Sequence, residues 1–470
     1  MTLIKSISGI RGTIGGSMGE DLTPFDIVKY TAAFGTWINQ KSALNKLVVG
    51  RDARPSGPMV NQIVCQTLVA LGINVLDLGL TTTPTVQIAV PLENAGGGMI
   101  ITASHNPIEW NALKLLNQKG ELISAIDGQE ILDIASKDNI IFAKVNKLGK
   151  ITQDDSYLEQ HIRMILDLPL VDKSAISKKE FRIVVDAVNS VGGVAIPSLL
   201  EALGVKEAYQ LNCKPTGHFK HNPEPLPENL YEISNVLRKG QYDLGIAVDP
   251  DVDRLALICE DGEPFGEEYT LVAVADYVIK NNPGNTVSNL SSSQALRYIT
   301  EKSGNTYSPA AVGEVNVVSL MKETQAVIGG EGNGGVIYPD LHYGRDALAG
   351  IALFLSFLAR SGKRISQLRA AYPNYVISKN KIDITPEIDV EKILNGLKKK
   401  YASHPVNTTD GVRIEFPDPN KPSLTEWVHL RKSNTEPIIR IYAESDSEAT
   451  AGYLAKKIIS DISELISSKV

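Results

Sequence analysis

The chain has 470 residues but only three cysteines, and none of them lies in a metal-binding pattern. Cys65, Cys213 and Cys259 are far apart, in apolar or strand-like surroundings. We therefore expect reduced thiols and a cytoplasmic protein, without disulfides or a zinc site. No apolar run approaches the roughly 18 residues that a membrane helix requires, and the N-terminus lacks the apolar core of a signal peptide. The sequence predicts no membrane partner.

Positive charge does not predominate, with 47 lysines and arginines against 54 aspartates and glutamates. The formal net charge is −7, which argues against nucleic acid as a partner. No GxxxxGK[ST] segment is present, so the chain is not a P-loop nucleotide-binding protein. The composition, 43% hydrophobic and 21% charged, is that of an ordinary globular protein, and the length predicts three or four domains.

Strand-like and helix-like segments alternate along most of the chain, which predicts βαβ units and parallel sheets. The pattern recurs three times, with predicted helix ends at Gly72, Gly204 and Gly304. We interpret the recurrence as three related copies of one α/β domain. We also predict a glycine-rich basic loop at 9–16, in the first segment, and a domain boundary at 147–179, a polar segment around one amphipathic helix.

The pattern changes near Tyr372, where a small α+β domain is predicted to begin. It contains two helices and three strands, and Ser445 and Glu448 are suitable caps for its last helix. The predicted domains are 1–165, 166–262, 263–370 and 371–470.

A turn of small polar residues follows a predicted buried strand at Met99–Ile101. Residues 102–107 carry Thr, Ser, His and Asn before Pro107, which cannot continue a strand ladder. Because a sheet holds such turns rigidly, strand ends are common sites of chemistry in α/β proteins. Ser104 is therefore our candidate nucleophile, although ordinary solvated turns have the same composition. His105 is not a base for Ser104 by position alone, since neighbouring side chains in an extended turn point apart.

Three aspartates at alternate positions, Asp249, Asp251 and Asp253, form a second candidate site between two strand-like segments. Carboxylates this close repel one another unless a cation lies between them, and hard oxygen ligands suit Mg²⁺. The spacing resembles an EF-hand, but Arg254 stands where that loop requires glycine and the flanks are strands. A solvated acidic turn fits the apolar flanks poorly, so the sequence predicts a Mg²⁺ site.

A glycine-rich stretch at 329–335 surrounds Glu331 and Asn333. It formally matches GxGxxG, but the segment that follows is strand-like, which argues against dinucleotide binding. A closely approaching backbone and one carboxylate suit a ligand with several hydroxyl groups, from which Glu331 would accept hydrogen bonds. The alternative is a flexible hairpin.

A basic turn near the C-terminus is a candidate phosphate site. Cations, hydroxyls, an amide and backbone N–H groups within one turn can hold a phosphate dianion, although a charged surface turn has the same composition. The residues are Arg431, Lys432, Ser433, Asn434 and Thr435, with Arg440 following.

Together and in this order, the four loops resemble the motifs of the α-D-phosphohexomutase family, which includes phosphoglucomutases, phosphomannomutases and phosphoglucosamine mutases. The resemblance spans essentially the whole chain. It rests on TASHNP at 102–107, DPDVDR at 249–254, GGEGNGG at 329–335 and RKSNTEP at 431–437, with supporting similarity at 8–12, 50–54, 219–230 and 312–317. It implies three related mixed α/β domains and a C-terminal α+β domain around a central cleft, in a monomer or homodimer.

The resemblance also implies a role for each loop. Ser104 would carry a phosphoryl group, one oxygen of which joins Asp249, Asp251 and Asp253 around Mg²⁺. Proton transfer or transition-state support would come from Lys114, His105 and Arg11. Substrate contacts are implied for Arg254, Glu331, Asn333, Gly334 and Arg345. Contacts to the existing phosphate of the substrate are implied for Arg431, Ser433, Asn434, Thr435 and Arg440.

The reaction implied is interconversion of a hexose 6-phosphate and 1-phosphate through a phosphoserine and a hexose 1,6-bisphosphate, which also acts as activator. The GEGNGG and SNTEP segments are similar to archaeal-type phosphoglucosamine mutases, which favours glucosamine phosphate over glucose or mannose phosphate. Many family members carry Ser-Gly-His where 333–335 reads Asn-Gly-Gly, so one candidate acid or base is missing here. A phosphatase-like hydrolase and a non-catalytic sugar-phosphate-binding protein are the alternatives, although Ser104 beside three aspartates argues against the second.

Overall fold

The computed structural model describes residues 2–6, 9–137, 139–384, 388–417, 425–433 and 438–467. They form two compact units, the first from Met1–Tyr277 with Asn333–Gln367 and the second from Val278–Gly332 with Leu368–Val470. Asn434 and Thr435, two of the predicted phosphate contacts, lie outside the described residues. Within the described ranges, none of the helices combines the length and the apolar character needed to cross a bilayer.

Up to residue 281, strands and helices alternate except for a few consecutive pairs of strands or helices. The strands are β1 (Ile4–Ser6), β2 (Gly9–Thr13), β3 (Lys46–Arg51), β4 (Asn74–Leu80), β5 (Gly97–Ile101), β6 (Trp110–Leu116), β7 (Ile151–Gln153), β8 (Arg182–Asp186), β9 (Glu207–Leu211), β10 (Leu244–Val248) and β11 (Leu255–Cys259). The helices are α1 (Pro24–Lys41), α2 (Gly57–Ala70), α3 (Thr83–Leu92), α4 (Ala125–Ser136), α5 (Tyr157–Leu166), α6 (Lys173–Lys179), α7 (Gly192–Leu203), α8 (Tyr231–Leu237) and α9 (Glu267–Asn281).

The remaining elements complete the chain. The strands are β12 (Thr286–Asn289), β13 (Tyr307–Ala310), β14 (Ile328–Glu331), β15 (Gly335–Ile337), β16 (Val376–Asp383), β17 (Val406–Asn407), β18 (Val412–Pro417), β19 (Thr425–Lys432) and β20 (Ile438–Ser445). The helices are α10 (Ala295–Lys302), α11 (Glu314–Thr324), α12 (Ala347–Ser361), α13 (Ile365–Arg369), α14 (Val390–Lys400) and α15 (Glu448–Ser467).

The first sheet of the first unit is mixed, with strand order β1-β2-β6-β5-β3-β4-β7. Strands β5, β3, β4 and β7 run parallel, and β1, β2, β6 and β5 pair antiparallel. Helices cover both faces, because Leu47 and Val49 of β3 join one apolar cluster and Val48 joins another. A sheet covered on both faces places chemistry at its edges, where the strands end.

The predicted loop at 9–16 is wrong in its first half, because residues 9–13 form β2. Strand β2 pairs with β6, a strand that the sequence analysis did not predict. A Cβ atom at Gly9 would lie 2.2 Å from the carbonyl oxygen of Leu113. Glycine at this position therefore lets the two strands approach closely. In the sequence alone, a strand that contains such glycines resembles a flexible loop.

Helix starts and stops follow local sequence signals. The sequence Thr-Pro-Phe-Asp at 23–26 predicts a helix start, and in the structure Thr23 caps α1 in a capping box with Asp26 while Pro24 occupies the first turn. The predicted helix ends are also confirmed, since Gly72, Gly204 and Gly304 have φ angles of 80°, 78° and 78°. These left-handed values are those of glycines that terminate helices.

The second sheet of the first unit has strand order β11-β10-β8-β9, with β11 antiparallel to β10 and the other pairs parallel. The segment 147–179 differs from the prediction, because it contains two helices, α5 and α6. Pro169 lies between them and cannot continue a helix, and the side chain of Asp172 caps the second helix by accepting from the N–H of Ala175.

In the second unit, β12 pairs parallel with β13 and β14. A separate antiparallel sheet has the order β16-β20-β19-β18-β17, and α14 and α15 pack on its apolar face. The sequence analysis missed β16, because none of its residues is fully buried and its pattern carries little apolar signal. The cap predicted for the last helix is also wrong in part. Ser445 ends β20, and the side chain of Ser447 accepts from the N–H of Thr450 at 3.2 Å.

Candidate active site

Ser104 lies in the turn after β5, where the sequence predicted it, and its backbone is left-handed at φ 49°. Its Oγ donates to Oδ2 of Asp249 at 2.7 Å, and its side chain is largely buried. A left-handed conformation is uncommon for a residue with a Cβ and is found often at functional turns. The structure thus brings the candidate nucleophile into contact with the first of the three predicted metal ligands.

Arg54 holds this turn from a fully buried position. Its Nη2 donates to the carbonyl oxygens of Ser104 and Asn106, each at 2.6 Å, and its Nη1 donates to that of Trp110 at 3.0 Å. Its Nε pairs with Asp52 at 3.1 Å. No role was predicted for Arg54, although it belongs to the 50–54 motif, because nothing local shows that a side chain after β3 reaches a turn about fifty residues away.

The three aspartates follow β10 in a tight turn, and one carboxylate oxygen from each lies within 4.8 Å of the others. All three are buried, and Val252 between them has a φ of 63°, a strained value for a β-branched residue. Oδ1 of Asp251 and Oδ1 of Asp253 are buried and make no hydrogen bond. Burial, with the charges of its two neighbours, raises the pKa of Asp249 well above its usual range. Such a set of orphaned hard oxygens fits a divalent cation.

Cations surround the aspartates. Nζ of Lys114, on β6, lies 2.7 Å from Oδ2 of Asp251 and 3.4 Å from Oδ2 of Asp253. Burial alone would lower the pKa of Lys114, but these two carboxylates raise it above its ordinary value. Burial likewise opposes ionisation of Asp253, yet Arg345, Lys114 and Arg254 hold its pKa well below the usual range.

Arg11 and His105 complete the group near Ser104. Nη1 of Arg11 donates to Oδ1 of Asn106 at 3.3 Å, and burial with the charge of Arg254 lowers the pKa of Arg11. Nδ1 of His105 lies 3.5 Å from Ser104 Oγ, so the two neighbouring side chains do not point apart. The expectation from an extended turn fails because the left-handed backbone of Ser104 bends the chain. Burial and the charges of Arg254 and Arg11 hold the pKa of His105 well below its ordinary value, which keeps the ring neutral near pH 7.

The loop that follows β9 also reaches this site. Oε1 of Glu224 accepts from Nη1 of Arg254 at 3.1 Å and lies 3.9 Å from Nε2 of His105. The Phe219 ring stacks on the guanidinium of Arg54, with 5.0 Å to the ring centroid. The sequence analysis singled out 219–230 only as a segment similar to the family, and Glu224 was not among the predicted site residues.

The first unit therefore gathers three carboxylates and four cations around one hydroxyl. The four cations are Arg11, Lys114, Arg254 and Arg345, and the carboxylates are those of the aspartate turn. Such an arrangement can neutralise the roughly two negative charges of a phosphorylated serine once a divalent ion balances the carboxylates. Asn333 and Gly334 also lie in this unit, and the carbonyl of Gly334 accepts from the N–H of Leu255 at 3.0 Å.

The other predicted residues belong to the second unit. Glu331 is buried at the end of β14, where its Oε1 accepts from Nδ2 of Asn289 at 2.8 Å and from the N–H of Gly313 at 3.1 Å. These donors fix the carboxylate and its orientation. Asn289 and Gly313 were not predicted as site residues, because they lie about 42 and 18 positions from Glu331.

Arg431 and Arg440 stand directly opposite each other on β19 and β20. Burial lowers the pKa of Arg431, while nearby Asp410 opposes that shift. The N–H of Ser433 donates to the carbonyl of Ile438 at 2.9 Å and closes the described part of this turn. Like charges at opposite positions destabilise a sheet, so this pair favours an anion between or beside them.

Four family models match successive parts of the chain. They are described as phosphoglucomutase/phosphomannomutase alpha/beta/alpha domain I over residues 3–140, domain II over 156–262, domain III over 266–375, and the C-terminal domain over 385–460. The fold and the matched regions define a phosphohexomutase, which is an isomerase. The chain belongs to the phosphoglucomutase/phosphomannomutase family.

Individual relatives agree over nearly their whole length. The phosphoglucomutase/phosphomannomutase of Thermococcus kodakarensis is 36% identical, with 94% of this chain and 95% of the relative covered. The phosphoglucosamine/phosphogalactosamine mutase of Sulfurisphaera tokodaii is 32% identical, with 96% and 97% covered. A solved phosphoglucomutase/phosphomannomutase family protein from Burkholderia thailandensis has a TM-score of 0.83 at 27% identity, covering 99% of this chain and 97% of that chain. The resemblance and the fold class predicted from the sequence are thereby confirmed.

Proposed function

We propose that this phosphohexomutase interconverts glucosamine 6-phosphate and glucosamine 1-phosphate, with Ser104 as the residue that carries the phosphoryl group. One observation carries the assignment of Ser104, namely the 2.7 Å hydrogen bond from Ser104 Oγ to Asp249 within a buried acidic cluster ringed by cations. The choice of glucosamine is supported by relatives such as the Sulfurisphaera tokodaii protein, which is named a phosphoglucosamine/phosphogalactosamine mutase. A hydroxyl held between carboxylates and cations suits phosphoryl transfer, which depends on positioning and charge neutralisation.

Asp249, Asp251 and Asp253 are the residues that would hold Mg²⁺. Two of their buried oxygens make no hydrogen bond, and the set offers only hard oxygen donors. Mg²⁺ bound there would neutralise developing charge on the transferred phosphoryl group.

The transfer begins with phosphorylated Ser104. The bond between Oγ and phosphorus breaks while the free hydroxyl oxygen of the sugar bonds to the same phosphorus. The proton of that hydroxyl ends on Ser104 Oγ, and the neutral ring of His105, 3.5 Å from Oγ, would carry it. The product is glucosamine 1,6-bisphosphate, which turns over and returns its other phosphoryl group to Ser104. Lys114, charged and paired with Asp251, supports the transferred group by its charge, as does Arg254. His105 contacts Ser104 Oγ, and Arg11 contacts Asn106 in the same turn.

The phosphate that does not react needs a separate anchor. The opposed cations Arg431 and Arg440, with Ser433 in the same turn, support such a role. Glu331, fixed by two donors, would accept hydrogen bonds from sugar hydroxyls. Sugar contacts of Asn333 and Gly334 stay predictions from the resemblance. The four domain borders, the monomeric or homodimeric state and the cytoplasmic location stay predictions from the sequence.

The substrate assignment predicts an order of catalytic efficiencies. With Mg²⁺ and the matching 1,6-bisphosphate present, kcat/KM for glucosamine 6-phosphate should exceed those for glucose and mannose 6-phosphates by about tenfold or more, since each specific polar contact discriminates strongly. Coupled assays of the three 1-phosphate products measure this order. If glucosamine 6-phosphate is the poorest, the second candidate, a phosphoglucomutase/phosphomannomutase, is favoured, as the name of the Thermococcus relative suggests. No turnover of any sugar would leave only a sugar-phosphate-binding role, and phosphate release without mutase product would indicate a hydrolase.

Thr83 supports the acidic cluster from α3, and its removal should weaken metal binding. Its Oγ1 donates to Oδ2 of Asp251 at 2.5 Å. Because such supporting bonds orient metal ligands, Thr83→Val should weaken Mg²⁺ binding by about 10-fold, measured by titration calorimetry. Thr81→Val is the matched control, since Thr81 is also buried and its Oγ1 makes no hydrogen bond. Equal Mg²⁺ affinity in both variants would contradict the assignment of Asp251 as a ligand.

A further inference from the structure

Gly335, the first residue of β15, lies directly beneath the side chain of Arg345. A Cβ atom on Gly335 would lie 2.4 Å from Cδ and 3.1 Å from Cγ of Arg345, and 3.1 Å from Oδ1 of Asn333. The φ of Gly335 is outside the left-handed region, so its backbone does not require glycine. Because glycine weakens a strand, its presence here indicates close approach of another group. The group that approaches most closely is the aliphatic part of the Arg345 side chain.

The other end of Arg345 reaches the acidic cluster. Its Nη2 donates to Oδ2 of Asp253 at 2.7 Å, and its side chain is only 11% exposed. Lys114 contacts the same carboxylate oxygen at 3.4 Å. Arg254 lies 4.0 Å from Oδ1 of the same residue, so Arg345 is one of three cations around the last aspartate of the cluster.

Asp346 anchors the backbone that carries Arg345. Its Oδ1 accepts from the N–H groups of Leu348 and Ala349 and caps α12, and its own N–H donates to the carbonyl of Val336 at 2.8 Å. These bonds tie the residue after Arg345 to both a helix start and β15. A capped helix start is a rigid platform for a neighbouring side chain.

A pair of histidines holds the same aspartate from the other side. Oδ2 of Asp346 lies 2.9 Å from Nε2 of the fully buried His161 and 3.1 Å from Nε2 of His342. Nδ1 of His161 contacts Oγ1 of Thr85 at 3.0 Å. This buried network links α5, α3 and α12 and restricts the position of Arg345 further.

We propose that Arg345 is a positioning residue of the phosphoryl-transfer site, that it acts through Asp253, and that Gly335 is glycine in order to admit it. The proposal rests on the function proposed above. Many family members carry histidine at the position of residue 335. In this chain glycine stands there, and the side chain of Arg345, a permanent cation, crosses over the strand. An arginine stays charged and transfers no protons, so its contribution is fixed charge and orientation of the carboxylate.

A double-mutant cycle tests the proposal. Gly335→Ala should lower kcat by about 100-fold with little change in KM, since displacement of a positioned group by about an ångström has such effects. Arg345→Ala should lower kcat at least as much, and Arg345→Lys should restore part of it. In the Arg345→Ala background, Gly335→Ala should cost nothing further, because the group it displaces is gone. Melting temperatures should stay close to that of the unchanged protein.

The control and the contradicting results are specific. Gly452→Ala adds a methyl group to a helix where nothing lies within 4 Å, and it should leave kcat unchanged. Full activity of Gly335→Ala, or multiplicative losses in the double variant, would overturn the proposal while the mutase function stands. A crystal structure of Gly335→Ala gives a readout independent of activity: Arg345 should have left Asp253, and an intact contact would overturn the proposal even if the unchanged protein proved not to be a mutase.

Discussion

Ser104→Gly is expected to lower mutase turnover by at least about 10⁴-fold while leaving the fold and sugar-phosphate binding intact. Removal of a nucleophile has effects of this size because the covalent route is lost altogether. Glycine is the better replacement here, since the φ of 49° at this position strains any residue with a Cβ. Ser104→Ala should be equally inactive and slightly less stable.

Two measurements complete this test. After incubation with the 1,6-bisphosphate, mass spectrometry should show one added phosphoryl group in the unchanged protein and none in Ser104→Gly. Calorimetry should show that the unchanged protein and Ser104→Gly bind glucosamine 6-phosphate with affinities within a few-fold of each other. Ser136→Ala, at an exposed serine at the end of α4, is the control for handling and should remain fully active. Substantial turnover by Ser104→Gly would remove the nucleophile assignment and, with it, the phosphoserine route.

The sequence predicted the parts of the fold that depend on local signals. The capping box at Thr23 and the helix ends at Gly72 and Gly204 need only a few neighbouring residues, and the structure has them as predicted. Elements whose identity depends on distant partners were missed. Strand β6 contains Lys114 and becomes recognisable only when it pairs between β2 and β5.

The same division applies to the site. Ser104 and the aspartates were found because each lies in a compact motif at the end of a strand. Arg54, Glu224 and the relation between Gly335 and Arg345 were not found, since each depends on a contact between residues that are 10 to 50 positions apart. A motif shows which residue types are present, whereas the hydrogen bonds that hold them are decided by packing.

His105 shows how backbone strain changes such an inference. Alternation in an extended chain places neighbouring side chains on opposite sides, yet its ring lies 3.5 Å from Ser104 Oγ. The left-handed φ of Ser104 is the cause. The residue types in the turn do not predict this φ, because serine rarely adopts that conformation. Strain at the nucleophile is therefore a property that the surrounding bonds impose.

Those bonds converge on Arg54, and Arg54→Met should have the largest effect on stability. The change removes the donors to the carbonyl oxygens of Ser104, Asn106 and Trp110 and leaves the Asp52 carboxylate buried without its cation. Breaking one side of a buried ion pair costs about 3–5 kcal/mol of unfolding free energy. Turnover should also fall steeply, because the turn that presents Ser104 loses its support.

Urea denaturation followed by circular dichroism measures the loss, and a second substitution identifies its source. Burial raises the pKa of Asp52 even with Arg54 present, so Asp52 without its cation is costly to keep charged. Adding Asp52→Asn to Arg54→Met should therefore recover part of the stability but little of the turnover, since the carbonyl oxygens of the turn still lack their donors. Arg51→Met is the matched control, because Arg51 donates one hydrogen bond, to the carbonyl of Asp52, and its loss should cost less than about 1.5 kcal/mol. If Arg54→Met proved no more damaging than Arg51→Met, the turn would have to be held by its own strained backbone, and the charge and carbonyl contacts of Arg54 would be incidental.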